Sequence, residues 1–257
     1  MEYLCGMKRP LIFISNDDGV SSPGIGVLIR LASEFGDVFV VAPDSPRSGS
    51  GCALTPYSPV MLTSVSDQEG VQIFSCTGTP VDCIKLGKQV LRTEQGRVPD
   101  LVLAGINHGD NSGINVHYSG TMGIAIEGCI SGVPSVGFSI DNHSANADFS
   151  HTEDVIRQVI ERVLREGLPA GTCLNVNFPA SGPLKGLLQC RQGMGRWTME
   201  WEACTHPRGG RYYWLTGDLN KDVTSDEQTD FRMVQQGYAA ITPIRIDMTD
   251  DSYQWSV

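Results

Sequence analysis

Two adjacent carboxylates, Asp17 and Asp18, stand between Asn16 and Gly19 where the apolar run Leu11-Ile12-Phe13-Ile14 gives out. Side by side, each anion opposes ionisation of the other unless a cation holds them. A divalent metal is the economical reason for the pair. A capped turn is the ordinary one, since Asn, Asp and Gly are common turn residues. Three further oxygen-rich segments follow apolar runs: Pro43 to Gly51 with Asp44, Arg47 and Ser48, Ser75 to Thr79, and Gly105 to Gly113 with Asn107 and Asn111. The last continues through Tyr118-Ser119-Gly120-Thr121, whose hydroxyls and first-turn amides suit an anion at a helix N-terminus. Carboxylate, hydroxyl and amide oxygens are hard donors, suited to Mg²⁺, Mn²⁺ or Ca²⁺ rather than zinc. The five histidines show no His-Glu-x-x-His spacing. Taken singly, Ser48, Asn107, Ser119 and Thr121 read as turn or cap residues, Thr79 as a helix cap and Arg47 as a solvated arginine. Their joint placement after successive strands gives them chemical meaning. A cation on one side and a helix N-terminus on the other would hold a phosphoryl group between them.

The elements that must position these residues alternate along the first two-thirds of the chain. Apolar runs predict strands at 10–15, 37–42, 71–75, 99–104, 134–140 and 172–176. Amphipathic spacing predicts helices at 24–34, 80–92, 120–130 and 150–166. Continuous apolar strands separated by helices imply an α/β fold with a mostly parallel sheet covered on both faces. In such a sheet the loops that follow the strands gather on one edge, where ligands bind. Thr79-Pro80 with Asp82, and Ser150 to Asp154, read as helix starts. From about residue 185 the character changes. Arg191 to Thr216 reads as a long β-hairpin turning at His206-Pro207-Arg208-Gly209-Gly210, with Trp197, Trp201, Tyr212, Tyr213 and Trp214 on its strands. A lone hairpin is marginal in water, so this one is expected to pack on something, a second subunit being the natural candidate. A short helix near 229–236 and a strand over 238–243 close the chain.

At 257 residues and 40% hydrophobic, the chain is long enough for one large α/β domain, or a domain with a substantial insertion. Net charge is −10 with no Lys/Arg-rich run, which argues against a nucleic-acid polymer as partner. The eight cysteines form no C-x-x-C pair, the start lacks a signal-peptide core and no apolar run approaches a membrane span. The expected location is the cytoplasm, with residues 1–6 a frayed extension and Met7 an alternative start.

Several of these segments, in order, resemble the survival protein SurE family of metal-dependent nucleotidases. The matches are Ser15-Asn16-Asp17-Asp18-Gly19, Val41-Ala42-Pro43-Asp44 with Arg47-Ser48, and Thr77-Gly78-Thr79-Pro80 with Asp82-Cys83. Gly105-Ile106-Asn107-His108-Gly109 with Asn111, Tyr118-Ser119-Gly120-Thr121, Pro134-Ser135 and Asn175-Val176-Asn177 with Pro179 complete them. The resemblance implies a phosphomonoesterase acting on nucleoside 5′-monophosphates, with 3′-nucleotides a further candidate. One Mg²⁺ or Mn²⁺ per subunit, with Ca²⁺ a third option, would be held by Asp17, Asp18, Ser48 and Asn107. It also implies a Rossmann-like catalytic domain over 7–184. An extended hairpin and C-terminal oligomerisation segment over 185–257 would be exchanged in a homodimer or tetramer, its closing strand at 238–244 a candidate to return to the core.

On this reading Asp17 and Asp18 are the catalytic pair, and Asp17 takes a proton or attacks directly. Phosphate contacts are expected from Asn16, Arg47, Thr79, Asn111, Ser119, Gly120 and Thr121. The competing reading is a receiver-like signalling module without catalytic activity. Such modules also place paired acids after the first strand, but Ala104-Gly105 stands where their phosphorylated aspartate would be needed. A dinucleotide-dependent oxidoreductase would need G-x-G-x-x-G in the first turn, and a haloacid-dehalogenase-type phosphatase an aspartate pair separated by one residue. Neither pattern is present.

Overall fold

A computed structural model describes residues 9–221 and 228–255. The expected extension at residues 1–6, with Cys5 and Met7, lies outside the described residues. Six strands form the parallel body of the main sheet: β1 (Leu11–Ser15), β2 (Asp37–Pro43), β4 (Val71–Cys76), β5 (Leu101–His108), β6 (Ser135–Ile140) and β7 (Thr172–Phe178). The helices are α1 (Pro23–Ala32), α2 (Pro80–Glu94), α3 (Gly120–Ile130), α4 (Glu153–Glu166) and α5 (Asp230–Gln235). Three more strands complete a nine-stranded sheet: β3 (Leu62–Gln68) antiparallel on β4, β13 (Ala239–Arg245) antiparallel on β7, and β8 (Leu187–Gln189) parallel on β13. Ala239–Arg245 thus lies inside the main sheet, between β7 and β8.

The sheet runs β3-β4-β2-β1-β5-β6-β7-β13-β8. Within it the six parallel strands follow the doubly wound order, which reverses direction between β1 and β5. Crevices at such a reversal, beyond the carboxyl ends of the strands, are where open α/β sheets bind ligands. Asp17 and Asn107 come from the two strands that flank it.

Why the strands are apolar throughout is visible in the split of their side chains. Ile12, Ile14, Val38, Val40, Leu101 and Leu103 pack towards α1 and α4, whose Ile25, Leu28, Ile156, Val159, Ile160 and Val163 meet them. The alternate residues Leu11, Phe13, Phe39, Val41, Val102 and Ala104 face Cys83, Ile84, Leu91 and Ile124 of α2 and α3. Period-two alternation thus feeds two cores rather than one core and solvent.

Two strands of the sheet lie outside those the apolar runs predict. Leu62–Gln68 reads Leu-Thr-Ser-Val-Ser-Asp-Gln, a polar edge strand with neither face buried. Leu187–Gln189 is three residues long. The expected strand ending at residue 104 continues to His108, and its register against β6 shifts between Ala104 and Asn107. A bulge of this kind re-aims the side chains beyond it. Thr79 caps α2 in a reciprocal box with Asp82. At the start of α4 a short 3₁₀ turn intervenes at Ser150–Thr152, and the Thr152 hydroxyl donates to Phe149 O instead of capping the helix.

The expected hairpin is shifted along the chain, running from Gly195 to Lys221 rather than from Arg191 to Thr216. β10 (Trp201–Thr205) pairs with β11 (Arg211–Leu215), and below them β9 (Gly195–Thr198) pairs with β12 (Asp218–Lys221). The two pairings are joined through Met199-Glu200 and Thr216-Gly217, where Thr216 N donates to Glu200 O at 2.7 Å. Met199 there takes a positive φ of 51°. Trp201, Tyr213, Trp214 and Leu215 on the outer ribbon are each more than half exposed.

One close approach holds α1 against the site strand. A Cβ on Gly24 would lie 2.0 Å from Ile106 O. Gly24→Ala must push α1 off β5, an overpacking cost of about 1–3 kcal/mol. Urea unfolding of the two proteins should show the midpoint fall accordingly.

Candidate active site

A cleft of about 620 Å³ lies over the carboxyl ends of β1 and β5. Asp17, Ser48 and Asn107 line it together, with Asn111 and Ser119 beside them. Its volume lies within the roughly 300–1,000 Å³ of small-molecule sites.

Asp17 is the buried member, 4% exposed. Its Oδ1 accepts from Thr121 Oγ1 at 2.5 Å, so the carboxylate sits against the N-terminus of α3. The fit leaves no room for a side chain on the helix. A Cβ at Gly120 would meet Asp17 Cβ at 2.7 Å and Asp17 Oδ2 at 2.8 Å. Burial pushes the Asp17 carboxyl up to about 6, with the Thr121 bond working against the rise and the Asp18 charge adding to it. Asp18 is held differently. Its Oδ2 accepts from His108 N at 3.0 Å and lies 3.3 Å from His108 Nδ1. It lines an adjoining cleft of about 390 Å³ with Asp44, His108 and His143.

Asn107 is buried, and its Nδ2 donates to Gly109 O at 2.8 Å. The amide is thereby oriented with Oδ1 as its remaining acceptor. Ser48 is exposed on the loop after β2. That loop is tied to the carboxylate turn by Arg47 N donating to Asp17 O at 2.7 Å.

Among the described residues no group of three or more His, Cys, Asp or Glu side chains is placed to hold a metal ion. What the cleft offers is a small number of carboxylates with neutral oxygens. That set fits a hard cation which keeps water or phosphate in its other positions, as Mg²⁺ does, and does not fit a closed all-protein cage. The acid held up by burial at Asp17 fits the same conclusion, because a bound cation removes the cost of ionising it.

Of the expected phosphate contacts, Asn111 and Ser119 reach the cleft. The others do not line it. Asn16 is fully buried and donates from Nδ2 to Gly19 O and Ser22 Oγ, fixing the turn into α1. Arg47 directs its guanidinium to Asp44 and to Thr77 O. The Thr79 hydroxyl donates to Ala53 O and accepts from Asp82 N. Gly120 and Thr121 are engaged with Asp17. Position after a strand was the signal for all of these, and it does not separate residues that line the cleft from residues that set the turn.

What positions Asn111, and what else lines the cleft, escaped the reading of the sequence. Asn111 is fixed on three sides: its N donates to Asn177 Oδ1, its Nδ2 to Ser139 Oγ, and its O accepts from Asn175 Nδ2. Asp141 and His143, beyond β6, line the cleft, and a strand-end rule applied to β6 would have found them. Trp197, Leu215 and Leu219 of the hairpin form a further wall. Sequence distance hid that wall.

The raised Asp17 carboxyl has a consequence for stability without metal. Between the ordinary Asp range and about pH 6 the folded protein binds the extra proton, so stability falls as pH rises through that window. Above it the ionised, buried group costs roughly 2–3 kcal/mol. In chelator, Asp17→Asn should therefore melt higher than wild type at pH 7.5, with the gap closing towards pH 4, as followed by scanning fluorimetry.

The chain matches the family model described as Survival protein SurE over residues 12–199. It is 50% identical over 242 residues to a protein of Phocaeicola vulgatus named 5′-nucleotidase SurE, covering 94% of this chain and 93% of that one. A Bacteroides fragilis protein of the same name is 50% identical over 243 residues, covering 94% of each chain. The crystal structure of SurE from Aquifex aeolicus superposes with a TM-score of 0.79 at 35% identity, over 95% of this chain and 96% of that one. Agreement of sequence and fold over nearly the whole length places the chain in the SurE family.

Proposed function

We propose that the protein is a metal-dependent 5′-nucleotidase, hydrolysing nucleoside 5′-monophosphates to nucleoside and phosphate, with 3′-nucleotides as secondary substrates. The observation that carries this reading is the meeting of Asp17, Ser48 and Asn107 in one cleft at the sheet's reversal point, with α3 beginning at Ser119 on its wall. The named relatives support it: they are 5′-nucleotidases half identical to this chain. A receiver-like module has no such support, and β5 ends in Asn107-His108 rather than a carboxylate.

Asp17, Asp18, Ser48 and Asn107 hold the cation, one per subunit, with Mg²⁺ or Mn²⁺ preferred over Ca²⁺. When bound, it supplies Lewis acidity towards a phosphoryl oxygen and neutralises charge on the carboxylate pair. Thr121 keeps Asp17 in place from the first turn of α3. His108 steadies Asp18 through its backbone amide. Asn111 and Ser119 bind and orient the phosphoryl group, and the positive end of α3 favours its charge. Asp17 accepts a proton from the attacking water. Residues 7–184 carry this machinery and residues 185–257 serve association.

Phosphate release should be measured over a panel of nucleoside 5′- and 3′-monophosphates with each divalent cation. Release should require metal, vanish in chelator and fall at least about 100-fold in Asp17→Asn and Asn107→Ala, the scale of a lost charge-stabilising contact. Activity of Asp17→Asn near that of wild type would overturn the assignment.

The exposed aromatic outer ribbon supports self-association as a homodimer or tetramer in the cytoplasm. Light scattering behind size exclusion should give a mass of two or four chains, and the double variant Trp201→Ser, Trp214→Ser should shift it towards one.

A further inference from the structure

The cleft is chemically divided, and the division crosses the fold. Its polar side comes from the parallel sheet: Asp17, Asn107, Asn111 and Ser119. Facing these are Trp197, Leu215 and Leu219 of the hairpin, with Glu200 and Thr216 at the junction of its two pairings, a segment that the reading above uses only for association. Trp197 and Leu219 are cross-strand partners in the β9–β12 register, so their side chains leave the ribbon on one face. The indole is half-buried and fixed at its polar edge, with Nε1 donating to Asn115 Oδ1 at 3.1 Å. Asn115 is in turn tied to the β5 loop, its Nδ2 donating to Asp110 O at 3.2 Å. An indole whose N–H is already satisfied presents only its ring to a ligand.

We propose that the root of the hairpin is the nucleobase subsite of this cleft, with Trp197 as the stacking surface and Leu219 and Leu215 as its apolar support. A nucleoside monophosphate has the matching division, an anionic end and a flat aromatic end. The hairpin therefore distinguishes nucleotides from small phosphate esters, while the sheet edge reads only the phosphate. The assignment rests on the nucleotidase reading above. It places a determinant of specificity more than eighty residues from the metal ligands, on an element that sequence patterning marks as an oligomerisation arm.

The test compares a nucleoside 5′-monophosphate with ribose 5-phosphate, which keeps the phosphate and sugar but lacks the base. Stacking of one base corresponds to about 5- to 150-fold in affinity. Trp197→Ala should raise KM for the nucleotide within that range while kcat changes little, and should leave kcat/KM for ribose 5-phosphate within about twofold. Trp197→Phe loses the Asn115 bond but keeps a ring, and should retain most of the preference for the nucleotide. Leu219→Ala, which leaves the indole in place, should give a smaller change in the same direction and serves if Trp197→Ala does not fold. An equal loss on both substrates would mean that Trp197 only fastens the hairpin, and unchanged nucleotide KM would mean that the base lies elsewhere. Either result overturns the subsite and leaves the nucleotidase reading intact. Failure of the wild-type enzyme on every nucleotide would overturn both.

Discussion

A carboxylate pressed into the first turn of a helix is the constraint around which this molecule is arranged. Asp17 leaves β1 at the point where the sheet reverses and meets α3, where Thr121 donates to it and Gly120 leaves it room. The contact spans 104 positions of sequence and joins the first strand to the helix that follows the fourth parallel strand. Helix N-termini stabilise anions, which offsets part of what burial costs. The rest of that cost shows in the raised Asp17 carboxyl.

The loops around this point are held by main-chain bonds rather than by side chains alone. Arg47 N reaches Asp17 O, His108 N reaches Asp18, and Gly51 N reaches Tyr118 O. Each bond links two segments that carry chemistry, so the site is a lattice of neighbouring loops and not a set of independent ligands. Residues such as Asn16 and Thr79 belong to that lattice although neither lines the cleft.

Much of this was legible in the sequence, and the limits are physical. Strands that feed two cores are apolar at every position, so Leu11-Ile12-Phe13-Ile14 and Leu101-Val102-Leu103-Ala104 declare themselves. Leu62–Gln68 buries neither face and has no pattern to read. Carboxylates beside a glycine turn stand out locally, which made Asp17 and Asp18 visible, and the order of several motifs added Ser48 and Asn107. The contacts of Asn111 with Ser139, Asn175 and Asn177 depend on which strands become neighbours, and that is decided by topology. The hairpin was legible as an element from its aromatic residues and its Gly-Gly turn. Its presence in the cleft was not, because nothing in a strand's own pattern says where the strand lands.

The asparagine cluster beyond β5 bears on the thermodynamics of capture. With its amide, carbonyl and side chain all engaged by β6 and β7, Asn111 moves only when the sheet itself opens. The sheet-edge half of the cleft is thus preorganised, and a ligand held there would lose little ordering entropy. The other half of the cleft is a two-stranded ribbon whose Trp197 is anchored to the body of the protein through Asn115.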